Sequence, residues 1–156
     1  MEGKIIYIGA LFLVGWLWMY LFGRQFLFNV FTAFPLIKKM QAIKDDLIAE
    51  GAKRYTSVSV GLCLVVSAIA LAIVFLLCPI HLKIGFAIGA VCALLMLINR
   101  VSPATKSNFE SFCLAYYRFV PDDELRTAMY NKKFSQIKAR LKAMGFKDSF
   151  VPEFKN

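Results

Sequence analysis

Three uncharged apolar runs constrain this chain more than any motif in it: residues 5–23 between Lys4 and Arg24, residues 55–82 between Arg54 and Lys83, and residues 84–99 between Lys83 and Arg100. At ~1.5 Å rise per residue the first covers a hydrocarbon core of about 30 Å as one helical span. Pro79 would remove a hydrogen bond from a helix interior, so the second and third runs read as a hairpin turning at 78–83. Lys83 then snorkels to the surface and both arms are long enough to cross. Composition agrees: 59% hydrophobic residues, 19% charged residues and a mean hydropathy of +0.61 lie outside the mix of a soluble domain. A length of 156 residues leaves room for one small membrane domain with cytosolic elaborations, and none for the helix array of a secondary transporter.

The first run reads as an uncleaved anchor rather than a signal peptide. Glu2 offsets Lys4 in its flank, no small-x-small pattern follows Gly23, and Trp16, Trp18 and Tyr20 gather at its second end, where amphipathic rings favour the interface. The expected fold is therefore an all-α membrane protein with three transmembrane helices, an N-terminal anchor plus a helical hairpin, and amphipathic cytosolic helices. Its segments are 1–23 (outside N-terminus and first span), 24–56 (interfacial and amphipathic helices), 57–99 (the hairpin) and 100–156 (a cytosolic helical tail).

Basic residues are retained on the cytoplasmic side, and their partition here is one-sided. Arg24, Lys38, Lys39, Lys44, Lys53 and Arg54 lie in segment 24–56, the tail from Arg100 carries all but two of the others, and the opposite side has only Lys4 and Lys83. This places the N-terminus outside and the C-terminus in the cytoplasm, as in a bacterial inner membrane or its equivalent. The net charge of +9 reads as a topogenic signal and an attraction to anionic lipid headgroups, not as nucleic-acid binding.

The segments outside the apolar runs carry helical periodicity. Phe28, Phe31 and Phe34 stand three apart and form a ridge along a short helix on the bilayer surface, which Pro35 should end. Leu36, Met40, Ile43 and Leu47 follow at steps of four, three and four, flanked by Asp46 and Glu50 and stopped at Gly51. In the tail, Ser107 and Glu110 have capping-box spacing, and Phe109, Phe112, Tyr116 and Phe119 supply an aromatic face. Pro121, Asp122, Asp123 and Glu124 suit the start of a longer helix and Gly145 its end. Along that helix Tyr130, Phe134, Ile137, Leu141 and Met144 fall in an arc of about 80°, bordered by Arg126, Lys133 and Arg140 on one side and Lys138 on the other. Residues 147–156 give no pattern.

The chemical inventory is poor. His81 is the sole histidine, it sits in the outer turn, and no second ligand is near it in sequence, so neither a metal nor a cofactor is expected. Cys63, Cys78, Cys92 and Cys113 contain no C-x-x-C pair. Cys63 and Cys92 read as small apolar residues, Cys78 as a free thiol with an intermolecular disulfide as the alternative, and Cys113 as a candidate for acylation. No charged residue lies within any run, which argues against a proton relay or ion pathway. Neither an Asp pair nor a Ser with an activating His marks a protease, so no catalytic residue is assigned.

What remains is contact. Gly85, Gly89 and Ala93 stand four apart on one face of the third run, and Ser59, Cys63 and Ser67 form a small-residue ladder on the second; the two ladders suit packing within the hairpin, or else dimerisation or a partner helix. Three apolar stripes outside the runs allow one internal pairing, leaving a third, with Phe109 to Phe119 the candidate, as a partner surface. The tail stripe itself suits internal packing, a membrane surface or a partner helix. The functional expectation is a non-enzymatic membrane subunit that assembles, scaffolds or regulates a larger membrane complex. Its partners are an anionic bilayer and other membrane proteins or a second copy. The alternative is an immunity or exclusion protein against a pore-forming toxin or an incoming element. An oligomeric channel or transporter subunit would need a polar face, for which only Ser59, Ser67 and Asn99 are available.

Overall fold

Long apolar runs with no two-residue alternation fold as helices, and the structure, a computed structural model, is helical in every regular element it describes. It describes residues 2–98, 105–145 and 151, the side chains of residues 2–4 and of Ile43 excepted. Asn99, Arg100 and, apart from Val151, the segment 147–156 lie outside the described residues. Three helical segments are long and apolar enough to cross a membrane: Ile5–Ala42, Glu50–Leu77 and Ile80–Ile98.

The first of these, at 38 residues, is about twice as long as the ~20 that a span requires. It consists of α1 (Glu2–Trp18), a π turn (Met19–Gly23), α2 (Arg24–Phe28), a second π turn (Asn29–Ala33) and α3 (Phe34–Ile43). Pro35 does not end the helix as its sequence position suggests. It falls in the first turn of α3, directly after a π turn whose wider ring takes up both the missing amide and the bulk of the pyrrolidine. The break comes instead at Lys44, whose backbone is extended, followed by a 3₁₀ turn at Asp45–Leu47. The Ala49 amide donates to the Phe119 carbonyl at 2.8 Å and holds this break in place. Gly51, expected as a stop, therefore lies in the first turn of α4 (Glu50–Leu77). Cys78 and Pro79 form the turn into α5 (Ile80–Ile98), closed by the Leu82 and Lys83 amides donating to the Pro79 carbonyl.

The chain forms two compact units, each assembled from two segments: Met1–Leu27 with Val58–Val101, and Phe28–Ser57 with Ser102–Asn156. In the first, the apolar unit, α1 and α5 pack along each other. Apolar side chains gain nothing by leaving lipid for one another, so such a pair depends on close van der Waals approach. Glycines provide it from both sides. A Cβ at Gly89 would collide with the Phe12 carbonyl and lie 3.0 Å from the Trp16 amide nitrogen, one at Gly85 would lie 2.9 Å from the Ile8 carbonyl, and one at Gly15 would collide with the Phe86 carbonyl. The Gly85/Gly89 face thus meets α1 and not the Ser59, Cys63, Ser67 ladder of α4. The physical reason is Gly15: it makes α1 yield where α5 yields, which the hydroxyl and thiol side chains of the α4 ladder cannot do.

The second unit has one aromatic-rich core, built by α3, α4's first turns, α6 (Lys106–Tyr116), a 3₁₀ turn at Tyr117–Phe119, α7 (Asp123–Tyr130) and α8 (Phe134–Ala143). All three apolar stripes enter it: Leu36, Met40 and Leu47, then Phe109, Phe112 and Tyr116, then Ile137 and Leu141. Stripes that meet around a common centre need not pair off, so no odd stripe is left over. The helix carrying Phe109 begins two residues earlier than the capping-box spacing implies, with Thr105 as its N-cap, and Ser107 is already inside the first turn.

The tail, expected as one helix from Pro121 to Gly145, is two. A Schellman closure ends α7: the Lys133 amide donates to the Ala128 carbonyl at 2.9 Å and the Lys132 amide to the Met129 carbonyl at 3.1 Å, with Lys132 left-handed at φ 55. Gly145, at φ 92 after the Met144 C-cap, does terminate α8 as expected.

Two outcomes follow from this backbone. Gly89→Ala should destabilise the α1–α5 pair by about 1–3 kcal/mol through overpacking, whereas Gly61→Ala, where an added Cβ meets nothing within 4 Å, should not; melting of the full chain in mild detergent reads both. Lys132→Gly should stabilise the second unit by up to about 1 kcal/mol, because a left-handed backbone penalises any residue with a Cβ. A lower melting temperature for that variant contradicts the turn assignment.

Candidate functional site

Chemistry in this chain rests on few side chains. Among the described residues no group of three His, Cys, Asp or Glu is arranged to hold a metal ion. His81 is exposed in the first turn of α5. Cys113 is fully buried, and burial, followed by the charge of Glu110, pushes its thiol up to about 12. Buried in this fold, its sulfur presents no surface to an acylating enzyme. Cys63 is buried, Cys78 half-buried and Cys92 exposed on α5.

The second unit holds two polar constellations, both structural in geometry. Thr56 and Tyr116 are buried and 2.7 Å apart. The Thr56 hydroxyl donates to the Ala52 carbonyl at 2.8 Å, so its one proton is committed and Tyr116 donates to it. Tyr116 stacks on Phe112 with ring centroids 4.9 Å apart and meets Tyr55 in a T-shaped contact at 5.9 Å. Burial pushes its phenol above the ordinary value, keeping it a neutral donor.

The other constellation locks α8 to the start of α7. Asp122 is the α7 N-cap, its Oδ1 accepting from the Leu125 amide at 2.8 Å and from Arg140 Nε at 3.2 Å, while Oδ2 accepts from Arg140 Nη2 at 2.7 Å. Arg140 also reaches Glu124 at 2.8 Å, and Arg126 pairs with Asp123. The Arg140 hydrogen bond is the main cause that holds the Asp122 carboxyl below its usual range, against an opposing contribution from burial; the same bond holds Arg140 above its own. The acidic partners of Arg140 are therefore Asp122 and Glu124, and Asp46 and Glu50 stay exposed. Beside this clamp α7 and α8 leave a furrow of about 670 Å³ floored by Thr127, Ala128, Ala139 and Ala143, small enough to admit a close-lying backbone.

The sequence-predicted surface residues divide sharply. Phe109, Phe112, Tyr116, Ile137 and Leu141 are core, and Phe119, Phe134 and Met144 pack partly buried against it. Tyr130 is 57% exposed, turned from the α8 stripe by the Schellman closure and set against the Tyr117 ring at 5.2 Å. Lys133 is exposed, and Lys138 and Arg140 are half-buried. In the apolar unit Gly85, Gly89, Ala93 and Cys63 are buried, with Ser59 and Ser67 half-buried.

The surface that sequence reasoning missed is on α4. Val58, Leu62, Val65, Ile69 and Ile73 stand at steps of four, three, four and four, and all are more than half exposed. While α1 and α5 pack along each other, α4 forms no comparable pairing among the described residues. An all-apolar run hides such a face, because periodicity needs polar residues to mark the other side. Compared with known protein families, curated proteins and solved structures, the chain matches none.

The Thr56–Tyr116 pair yields an asymmetric prediction. Tyr116→Phe should cost about 0.5–1.5 kcal/mol, since Thr56 keeps its bond to Ala52, whereas Thr56→Val strands the buried phenol and should cost about 1–3 kcal/mol. Equal melting temperatures for the two variants would contradict the donor assignment.

Proposed function

We propose that the chain is a non-enzymatic integral membrane subunit that acts as an assembly, scaffold or regulatory component of a larger membrane complex, with its N-terminus outside and its C-terminus in the cytoplasm. The observation that carries this reading is the open face of α4. A helix that is apolar on every side is buried in lipid or in protein. All three long helices expose apolar side chains, but α1 and α5 pack on each other through glycines while α4 has no such partner in the unit among the described residues, which favours its ridge as the seat for an outside helix. Its branched and leucine side chains at helical spacing form the kind of ridge that a neighbouring helix grips. The α7–α8 furrow, small at Thr127, Ala128, Ala139 and Ala143 and bordered by Asp123, Glu124, Gln136 and Arg140, offers a second contact surface. The partition of basic residues supports the orientation, and the same residues draw the chain to anionic headgroups.

A photo-cross-linking side chain at Val65 or Ile69 should give discrete protein adducts in native membranes, to another membrane protein or to a second copy of the chain. The same group at Leu13 of α1 or Ile88 of α5, both more than half exposed, should give lipid adducts. Lipid adducts alone from positions 65 and 69 would reject the scaffold reading. For orientation, an impermeant maleimide should label Cys78 on intact cells and reach an exposed Ser135→Cys only after permeabilisation. The opposite order would invert the topology; Cys113, being buried, reports nothing either way.

A further inference from the structure

Most large apolar side chains of the second unit lie in its core, but among its described residues Phe31, Tyr55, Leu114 and Tyr130 are exposed. The last three, from three different elements, gather around Tyr117 and Arg118. The Arg118 guanidinium lies 5.8 Å from the Tyr55 ring centroid and 5.9 Å from that of Phe119. Tyr130 meets the half-buried Tyr117 ring at 5.2 Å, and Leu114 stands one helical turn before Tyr117 and Arg118. Asn131, Lys132 and Lys133, all exposed, follow Tyr130 in the turn that closes α7.

The charge of this surface is basic. The acids of the unit's ion pairs, Asp122, Asp123 and Glu124, are taken by Arg126 and Arg140, and Arg118, Lys132 and Lys133 belong to none of the ion pairs among the described residues. A guanidinium laid over rings keeps its edge for oxygen acceptors, so Arg118 can stay on Tyr55 and still donate to a phosphate. Exposed tyrosines beside cations are the composition of a membrane–water interface, where the rings sit among headgroups and the cations meet lipid phosphates.

Tyrosine and arginine are also common where proteins meet, and position decides between the two. Tyr55 directly follows Lys53 and Arg54 and opens the uncharged run 55–82 within α4, so where α4 crosses a bilayer Tyr55 stands at the level of the headgroups. Arg118 is held against that ring and shares its level, with Tyr117 its chain neighbour and Tyr130 one ring contact beyond. We infer that this surface docks the second unit on an anionic bilayer, Arg118, Lys132 and Lys133 taking lipid phosphates while Tyr130 enters the headgroup layer. The inference rests on α4 being a span, as in the function proposed above, and on nothing about what covers the α4 ridge.

The test uses the full chain with Trp16→Phe and Trp18→Phe, carrying one new tryptophan at a time: Tyr130→Trp in the patch or Ile69→Trp midway along the uncharged run. In phosphatidylcholine vesicles containing phosphatidylglycerol, a nitroxide on the lipid headgroup should quench Tyr130→Trp. Omitting phosphatidylglycerol or raising the salt should weaken that quenching, each basic residue at an anionic surface being worth about fivefold in affinity. Lys132→Gln with Lys133→Gln should weaken it likewise, Arg118→Gln should add to the loss and Arg118→Lys should not. Should Arg118→Gln misfold, the two exposed lysines still decide. Lipids brominated at their chain ends should quench Ile69→Trp in every case; if they do not, the span reading falls and the docking with it. Where they do, quenching of Tyr130→Trp that is absent, or indifferent to phosphatidylglycerol and to the Gln substitutions, overturns the docking alone. A photo-cross-linking side chain at position 130 should give lipid adducts in native membranes, and protein adducts in their place would overturn the inference in favour of a protein partner.

Discussion

Backbone-to-backbone contact between α1 and α5 is the interaction on which the apolar unit depends. Between helices whose side chains are as oily as the lipid around them, burial itself supplies no net attraction, and stability comes from how many atoms reach van der Waals distance. Gly15, Gly85 and Gly89 convert two ordinary apolar helices into a pair whose main chains touch. That pairing also decides what is left outside it, because the α5 face used on α1 is no longer available to α4. The α4 ridge is thereby left without a comparable partner inside the unit, among the described residues.

The second unit obeys the opposite logic. Its helices are short: α7 has 8 residues and α8 has 10, below the length at which an isolated helix is stable. They persist because each contributes an apolar side to one shared core, with Phe109, Phe112 and Tyr116 at its centre. The polar groups inside are spent on holding elements together. Tyr116 fastens α6 to the first turns of α4 through Thr56, and Arg140 fastens α8 to the cap of α7 through Asp122. Neither arrangement places a base beside a nucleophile.

Three helices of span length were legible in the apolar runs, and so was the turn at Pro79, because charge-free length and proline are strong local signals. The stripes of α3, α6 and α8 were legible as stripes, yet not as one core, since a period says which side is buried and not against what. Pro35 misled because the π turn that accommodates it has no sequence signature. Each π turn also slips the register by about one residue, which defeats a strict 3.6-residue count across Met19–Gly23 and Asn29–Ala33. The α7–α8 break escaped because Lys132 occupies a left-handed position where glycine would have announced it. The Gly85/Gly89 face was visible as a contact surface, but its partner depended on Gly15, a single residue in a distant run.

Each unit is made of two segments with the other unit's chain between them. During synthesis at ~5–20 residues per second, α1 therefore waits seconds before α5 exists. Throughout that interval its glycine face lies bare in the bilayer, and the stripe of α3 waits longer still, until Ile137 and Leu141 have emerged. The contacts that join α1 to α5, and α3 to the helices of the tail, span long stretches of sequence even though every element is helical, so they close late in synthesis. A chain that stops after α5 would hold the finished α1–α5 pair but only part of the second core, with Leu36, Met40 and Leu47 left uncovered.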